Sequence, residues 1–357
     1  MKYVFDTNAF YYYLMARHNL QLPHLSINEQ IDKEKFLQFI NSNHGNLLLP
    51  AVSVWELTTR FRADPQVVIE SMHICETDKI QICTNNFFSI SPAVLGGFAN
   101  KKANKSLVEK YIKENYVPQR AKSESWFLAN IIIYNAVLFI QLQIHNPEFL
   151  KNILDKNSLD SFDITYLAQI ITAMYPTLFA LTKMTDAHLF GLLKKSNNLD
   201  KIIKKEFEVA LYNGLCFVFT ELKKMQLQTT DNSTIDCSQV FDDKIMQKIK
   251  SCYLSGKPIM SQLNKYAEVS NISPDHNLLT NIMQKRGFTE LQMKYFQIFI
   301  KDWFINGRKM HKNDFNDFLF VGFINNNELA ITFDNKVKDF LNLHNLECGS
   351  KFIKNNA

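Results

Sequence analysis

Residues Val4 to Phe10, VFDTNAF, constrain the fold of this chain more than any other stretch. Tyr3, Val4 and Phe5 form a short apolar run suited to a buried parallel strand, and Asp6 ends it with a charge that a core does not accept unpaired. Thr7 and Asn8 are good helix N-caps, and the AFYYYLMAR that follows is compatible with an amphipathic helix. The segment therefore reads strand, acid, helix. That order sets a carboxylate at the carboxyl end of a strand, the edge at which open α/β sheets bind ligands. From these residues alone, Asp6 serves as well for a simple helix cap; the far end of the chain separates the two readings.

With 357 residues, 46% of them hydrophobic and 21% charged, the chain is a globular protein with sequence enough for one large domain or two ordinary ones. There are 29 phenylalanines but only 10 glycines and 9 prolines, a balance that favours long helices over a many-stranded β fold. A net charge of +5 permits an anionic partner without demanding one. Cys75, Cys83, Cys216, Cys237, Cys252 and Cys348 form no C-x-x-C pair, so neither a zinc site nor a disulfide framework is expected. Free thiols, and the absence of an export signal after Met1, point to the cytoplasm. The apolar stretch Trp126 to Ile144 approaches membrane-spanning length, but Asn130, Asn135, Gln141 and Gln143 interrupt it. It is read as a buried core helix, with no membrane partner.

Taken in order, Ile27 to Ile40 has helical spacing, and His44-Gly45-Asn46 closes it with turn chemistry. Leu47 to Leu49 form a second strand stopped by Pro50. The helix that follows carries Glu56 in its second turn, on the edge where Asp6 sits. From Val67 to Ile300 the pattern is helical, with no strand alternation. After residue 305 the α/β pattern returns: a helix over Asp314 to Ile324, a strand over Leu329 to Phe333 halted by Asp334, a helix over Val337 to Leu343, and a final strand within Leu346 to Ile353. The expected organisation is a small parallel sheet flanked by helices, built from residues 1–66 and 306–357, with a large, mainly α-helical insertion over 67–305.

Four acidic positions, Asp6, Glu56, Asp314 or Asp317, and Asp334, can converge at one sheet edge. That convergence is unfavourable without a neutralising partner. One or two Mg²⁺ or Mn²⁺ ions, which take oxygen ligands, are the economical answer. Two such ions about 4 Å apart suit phosphodiester hydrolysis, one lowering the pKa of water and the other stabilising the leaving oxygen.

VFDTNAF at the start, VSVWEL after the second strand, and NDFNDFLFVGF followed by LAITFDNKV near the end resemble the motifs of PIN-domain nucleases. The resemblance covers residues 1–62 and 310–357. It implies a metal-dependent endoribonuclease in which Asp6, Glu56, Asp317 or Asp314, and Asp334 are the acids, supported by Thr7, Asn8 and Thr332. Its implied partners are RNA, with single-stranded DNA as an alternative, and an antitoxin or regulatory protein, because many small relatives are growth-inhibiting toxins. The alternative is a PIN-like nucleic-acid-binding or protein-interaction module that has lost catalysis. Asp160, Asp163 and Asp186 could mimic the last two motifs, but a poorer strand precedes Asp186, so they read as helix-surface acids. A haloacid-dehalogenase-type phosphatase needs a proton-donating Asp where this chain has Asn8.

The stretch from Lys101 to Lys122 holds seven basic residues against Glu109 and Glu114. Lys101, Lys102, Lys105 and Lys113 are candidate phosphate contacts, and Tyr111, Tyr116 and Trp126 candidate stacking surfaces for bases. A solvated helix face would give the same pattern.

Overall fold

The computed structural model describes residues 1–100, 102, 104–113, 117–145, 175–195, 209, 212–214, 267–268, 271–274, 276–304 and 312–354. The chain divides into two compact units, one of Met1–Gln119, Gly287–Phe296 and Lys312–Ala357, the other of Arg120–Arg286 and Gln297–His311. Among the described residues the elements run β1 (Lys2–Phe5), α1 (Thr7–His18), α2 (Lys33–Ser42), β2 (Leu47–Pro50), α3 (Ala51–Arg60), α4 (Pro65–Thr77), β3 (Gln81–Cys83), α5 (Pro92–Ala99) and α6 (Lys105–Tyr111). They continue with α7 (Val117–His145), α8 (Tyr175–Lys195), α9 (His276–Lys285), α10 (Glu290–Phe304), α11 (Lys312–Val321), β4 (Glu328–Ile331) and α12 (Asn335–Asn342).

The first unit is α/β, a small four-stranded sheet flanked by helices. Its strand order is β3-β2-β1-β4 and every pairing is parallel. Val4 lies between Leu48 and Ala330, and Phe5 is in register with Ile331. From β1 the chain steps outward to β2 and β3, while β4 joins the other side of β1. The carboxyl end of β1 beside β4 is therefore the point where strand order reverses, the position at which open α/β sheets bind ligands. The Asp6 amide extends the ladder by one bond, 3.0 Å to the Ile331 carbonyl, which fixes Asp6 next to the residues that follow β4.

Aromatic packing explains the high phenylalanine content. Helix α1 is buried almost all round, with Asn8 an exposed exception. Phe5 meets Phe10 and Tyr13 at 5.9 and 5.5 Å between ring centroids, while Tyr12 meets Phe36 and Phe333 at 5.2 and 5.7 Å. The end of α1 is locked to the end of α4 through Asp78, which accepts from the Tyr13 hydroxyl and lies 3.3 Å from Arg17 Nε and 2.5 Å from His18 Nε2. Burial pushes the Asp78 carboxyl up, but Tyr13, His18 and Arg17 outweigh it and hold it below the ordinary range. Asp78 precedes β3, at the amino end of the sheet, so it is a structural anchor on the edge away from Asp6.

Several boundaries differ from those read in the sequence. Gln81–Cys83 is a third strand inside the stretch that reads as helical; three residues on a sheet edge are too few to show alternation. Helix α2 begins only at Lys33, capped by the Asp32 side chain at 3.1 Å to the Lys35 amide; Ile27 to Ile31 lie outside it. In place of a full strand, the final segment contributes two isolated bridges, Glu347 parallel to Ala330 and Ile353 antiparallel to Ile31, on either side of a short 3₁₀ turn over Gly349–Phe352. Gly45 has φ +88°, the left-handed turn that the glycine before β2 was expected to supply.

The described part of the second unit is mainly helical. Trp126 to Ile133 on α7 are buried, and Asn130 and Asn135 turn their amides back onto the Trp126 and Ile131 carbonyls, at 2.8 Å each. Those bonds let polar residues sit in a core helix. Among the described residues, no helix is long and apolar enough to cross a membrane. The runs expected over Ile164 to Met174, Lys201 to Gln226 and Lys244 to Cys252 lie wholly or largely outside the described residues, as do Asp160 and Asp163. Asp186 lies on α8. Cys75, Cys83 and Cys348 are free thiols, and the other three cysteines fall outside the described set.

Candidate active site

Asp6 sits at the carboxyl end of β1, 9% exposed, and is itself the N-cap of α1. One oxygen, Oδ1, accepts from the Thr7 amide at 2.7 Å; the other, Oδ2, accepts from the Thr332 hydroxyl at 2.9 Å. The cap and the site are thus the same residue. Thr7 was expected to cap α1, but its hydroxyl donates across to Glu56 Oε2 on α3. Thr332, just past β4, accepts from the Asp334 amide at 3.2 Å, and Asp334 caps α12 through the Lys336 and Val337 amides at 2.9 and 3.1 Å. Thr7 therefore joins the carboxylates of Glu56 and Asp6, and Thr332 joins the Asp6 carboxylate to the backbone amide of Asp334, so acids that follow three separate strands meet at one edge. A weak bond of 3.4 Å from the Ser53 hydroxyl to the Phe5 carbonyl helps hold the start of α3 against this edge.

Helix α11, which packs against α3, brings the remaining acids. Asp317 faces the cluster. Burial raises its carboxyl well above the ordinary range, and the charges of Asp6, Asp334 and Glu56 push the same way, against Lys336. Its Oδ2 lies 3.4 Å from the Tyr295 hydroxyl on α10. Asp314 is buried at 3% exposure and pairs with Lys336 Nζ at 2.6 Å, while the same ammonium stands 5.4 Å from the Tyr295 ring centre. Of the two sequence candidates for the third acid, Asp317 joins the electrostatic cluster and Asp314 takes the cation.

Asn316, Lys336 and Tyr295 complete the site and were not singled out in the sequence. The Asn316 amide donates to Glu56 Oε1, closing the second oxygen of that carboxylate. Its position beside Asp317 in NDFND was the available signal. Asn8, in contrast, is exposed in the first turn of α1.

Asp6 carries the electrostatic cost of this arrangement. Burial is the largest cause, then the charge of Glu56 and, more weakly, Asp334. Together they push its carboxyl from 3.8 up to about 7, although the Thr332 hydroxyl and Thr7 amide pull it down. The same crowding reaches Tyr11, whose phenol is raised by burial and by Glu56 and Asp6 despite Arg60, whose guanidinium lies 5.6 Å from the ring centre.

Among the described residues, no three His, Cys, Asp or Glu side chains already stand in an arrangement that would hold a metal ion. The chemistry of the donor set nonetheless fits a hard cation. The oxygens come from four carboxylates, of which Asp6 and Asp317 are raised first by burial and then by the charges of their neighbours, and the buried Asn316 Oδ1 has no hydrogen-bond partner among the described residues. Compared with models of protein families, with curated proteins and with solved structures, the chain shows no match.

The strand end that carries Thr332 is held by a close backbone approach. A Cβ on Gly349 would lie 2.1 Å from the Thr332 carbonyl oxygen, so only glycine fits. Gly349→Ala should destabilise by about 3 kcal/mol through overpacking, lower the melting temperature by several degrees, and displace Thr332 and Asp334. Calorimetry on the variant checks this; a melting temperature equal to the parent's would show that the turn yields freely.

Proposed function

We propose that this protein is a metal-dependent endoribonuclease of PIN type. The observation that carries the reading is the linkage of Asp6, Glu56 and Asp334 through Thr7 and Thr332 at the point where strand order reverses, with Asp317 added from α11. A capping role for Asp6 does not call for three further acids around it. Asp6, Glu56, Asp317 and Asp334 would hold Mg²⁺ or Mn²⁺, which when bound supplies an activated water and stabilises the charge leaving with the 3′ oxygen. Thr7, Thr332 and Asn316 orient the carboxylates before substrate arrives, and Tyr295 positions Asp317. Lys336, half-buried, balances the buried Asp314, so the pair adds no net charge to the site. An antitoxin-like protein partner and growth inhibition belong to this proposal through the family resemblance.

Purified protein incubated with mixed single-stranded RNA should cleave it with Mg²⁺ or Mn²⁺, stop on EDTA addition, and leave 5′ phosphates. A 2′,3′-cyclic phosphate product or full activity in EDTA overturns the mechanism. RNA binding without cleavage under any metal would replace it with the non-catalytic module.

A further inference from the structure

A cleft of about 310 Å³ lies between the turn that follows α3 and helix α6, lined by Arg62, Ala63, Lys105, Glu109, Ile112 and Lys113. Three cations face one carboxylate there, and Glu109 is drawn to Lys105 at 3.9 Å. Arg62 and Lys113 are exposed and make no ion pair among the described residues. The cleft is continuous in sequence with the site. Arg60, the last residue of α3, lies about 6 Å along the helix beyond Glu56 at helical rise, and Arg62 follows in the turn. Basic side chains thus lead away from the acid cluster along the end of α3.

The flanking aromatics narrow what this surface can bind. Tyr111 and Trp126 are each 1% exposed, so neither stacks on a base, contrary to the expectation from sequence, and Tyr116 lies outside the described residues. Lys102 is exposed near the start of α6, and Lys101 is not among the described residues. Among the described residues, what remains is a concave surface with cations and no exposed aromatic stacking platform, which reads phosphate and not base identity.

We propose that the α3–α6 cleft holds backbone phosphates of a single-stranded RNA whose scissile bond lies at the acid cluster, through Arg62 and Lys113, without regard to sequence. This rests on the nuclease reading and adds the path of the substrate. Binding of a short labelled RNA to the full chain in EDTA, followed by anisotropy from about 50 to 200 mM salt, tests it. In Arg62→Gln/Lys113→Gln the log–log salt slope should be shallower by about 1.4, two single-strand contacts at about 0.7 each. The loss should be equal for RNAs of different sequence, and the metal-free melting temperature unchanged. Lys33→Gln/Lys35→Gln on α2 should keep the parent slope. A parent that cleaves RNA while the cleft variant keeps its slope overturns the cleft alone. A parent that neither binds nor cleaves RNA overturns the cleft and the nuclease reading together.

Discussion

Asp6→Asn should lose RNA cleavage almost completely, yet melt without metal at a temperature no lower than the parent's. A buried carboxyl moved from 3.8 to about 7 costs roughly 4 kcal/mol of folding stability at pH 7 and above. An uncharged amide avoids that cost. It is close in shape, caps a helix about as well, and can still accept from the Thr7 amide while its NH₂ turns to the Thr332 oxygen. The parent alone should respond to Mn²⁺. At about 100 times the dissociation constant the ion contributes about 2.7 kcal/mol by linkage, a rise of roughly 5–10 °C. An Asn variant that is inactive and also several degrees less stable without metal would make Asp6 a structural residue first.

The same carboxyl fixes the sign of a pH dependence. Its folded pKa lies above its unfolded value, so the destabilisation is absent below about pH 3.8, accumulates as the pH rises, and is complete once the pH passes about 7. Asp317 is shifted in the same direction. The metal-free parent should therefore lose stability between about pH 4 and 7 relative to Asp6→Asn, and Mn²⁺ affinity should climb as the pH rises toward 7 because binding releases protons. These slopes come from the melting curves already required.

The parts of the fold written in neighbouring residues were legible. Val4 and Phe5 followed by Asp6, Leu47 to Leu49 followed by Pro50, and LAITFD each announce a strand and what stops it, and all three form parallel strands with an acid or acid-bearing helix beyond. What escaped depends on partners far along the chain. The Asn316 bond to Glu56 spans 260 positions, and its place beside Asp317 in NDFND marks it as near the acids without naming its partner. Lys336 reads as one more surface lysine until Asp314 is placed beside it. Gly349 looks like a loop glycine, and only the passage of the Thr332 carbonyl shows why a side chain is excluded there. Tyr111 and Trp126 mislead in the opposite direction, because aromatic residues amid lysines suit a core as well as a base-stacking surface.

The ambiguity between Asp314 and Asp317 resolves in a pair of variants with opposite signatures. Asp317→Asn removes an acid that the cluster repels, so cleavage should fall by at least about 10³-fold, and the metal-free protein should be as stable as the parent or more so. Asp314→Asn breaks a part-buried, charge-assisted bond to Lys336 and should cost about 2 kcal/mol, lowering the melting temperature by roughly 5 °C. Its ammonium, released beside Asp317 and Asp334, then competes with the incoming cation. More Mn²⁺ should be needed for half-maximal cleavage, while the rate at saturating Mn²⁺ stays within about tenfold of the parent. Metal titrations of both variants, read by cleavage and by melting, separate the roles. If Asp314→Asn is the inactive, undestabilised one and Asp317→Asn the weakened but active one, then Asp314 is the third acid and Lys336 moves aside when metal binds.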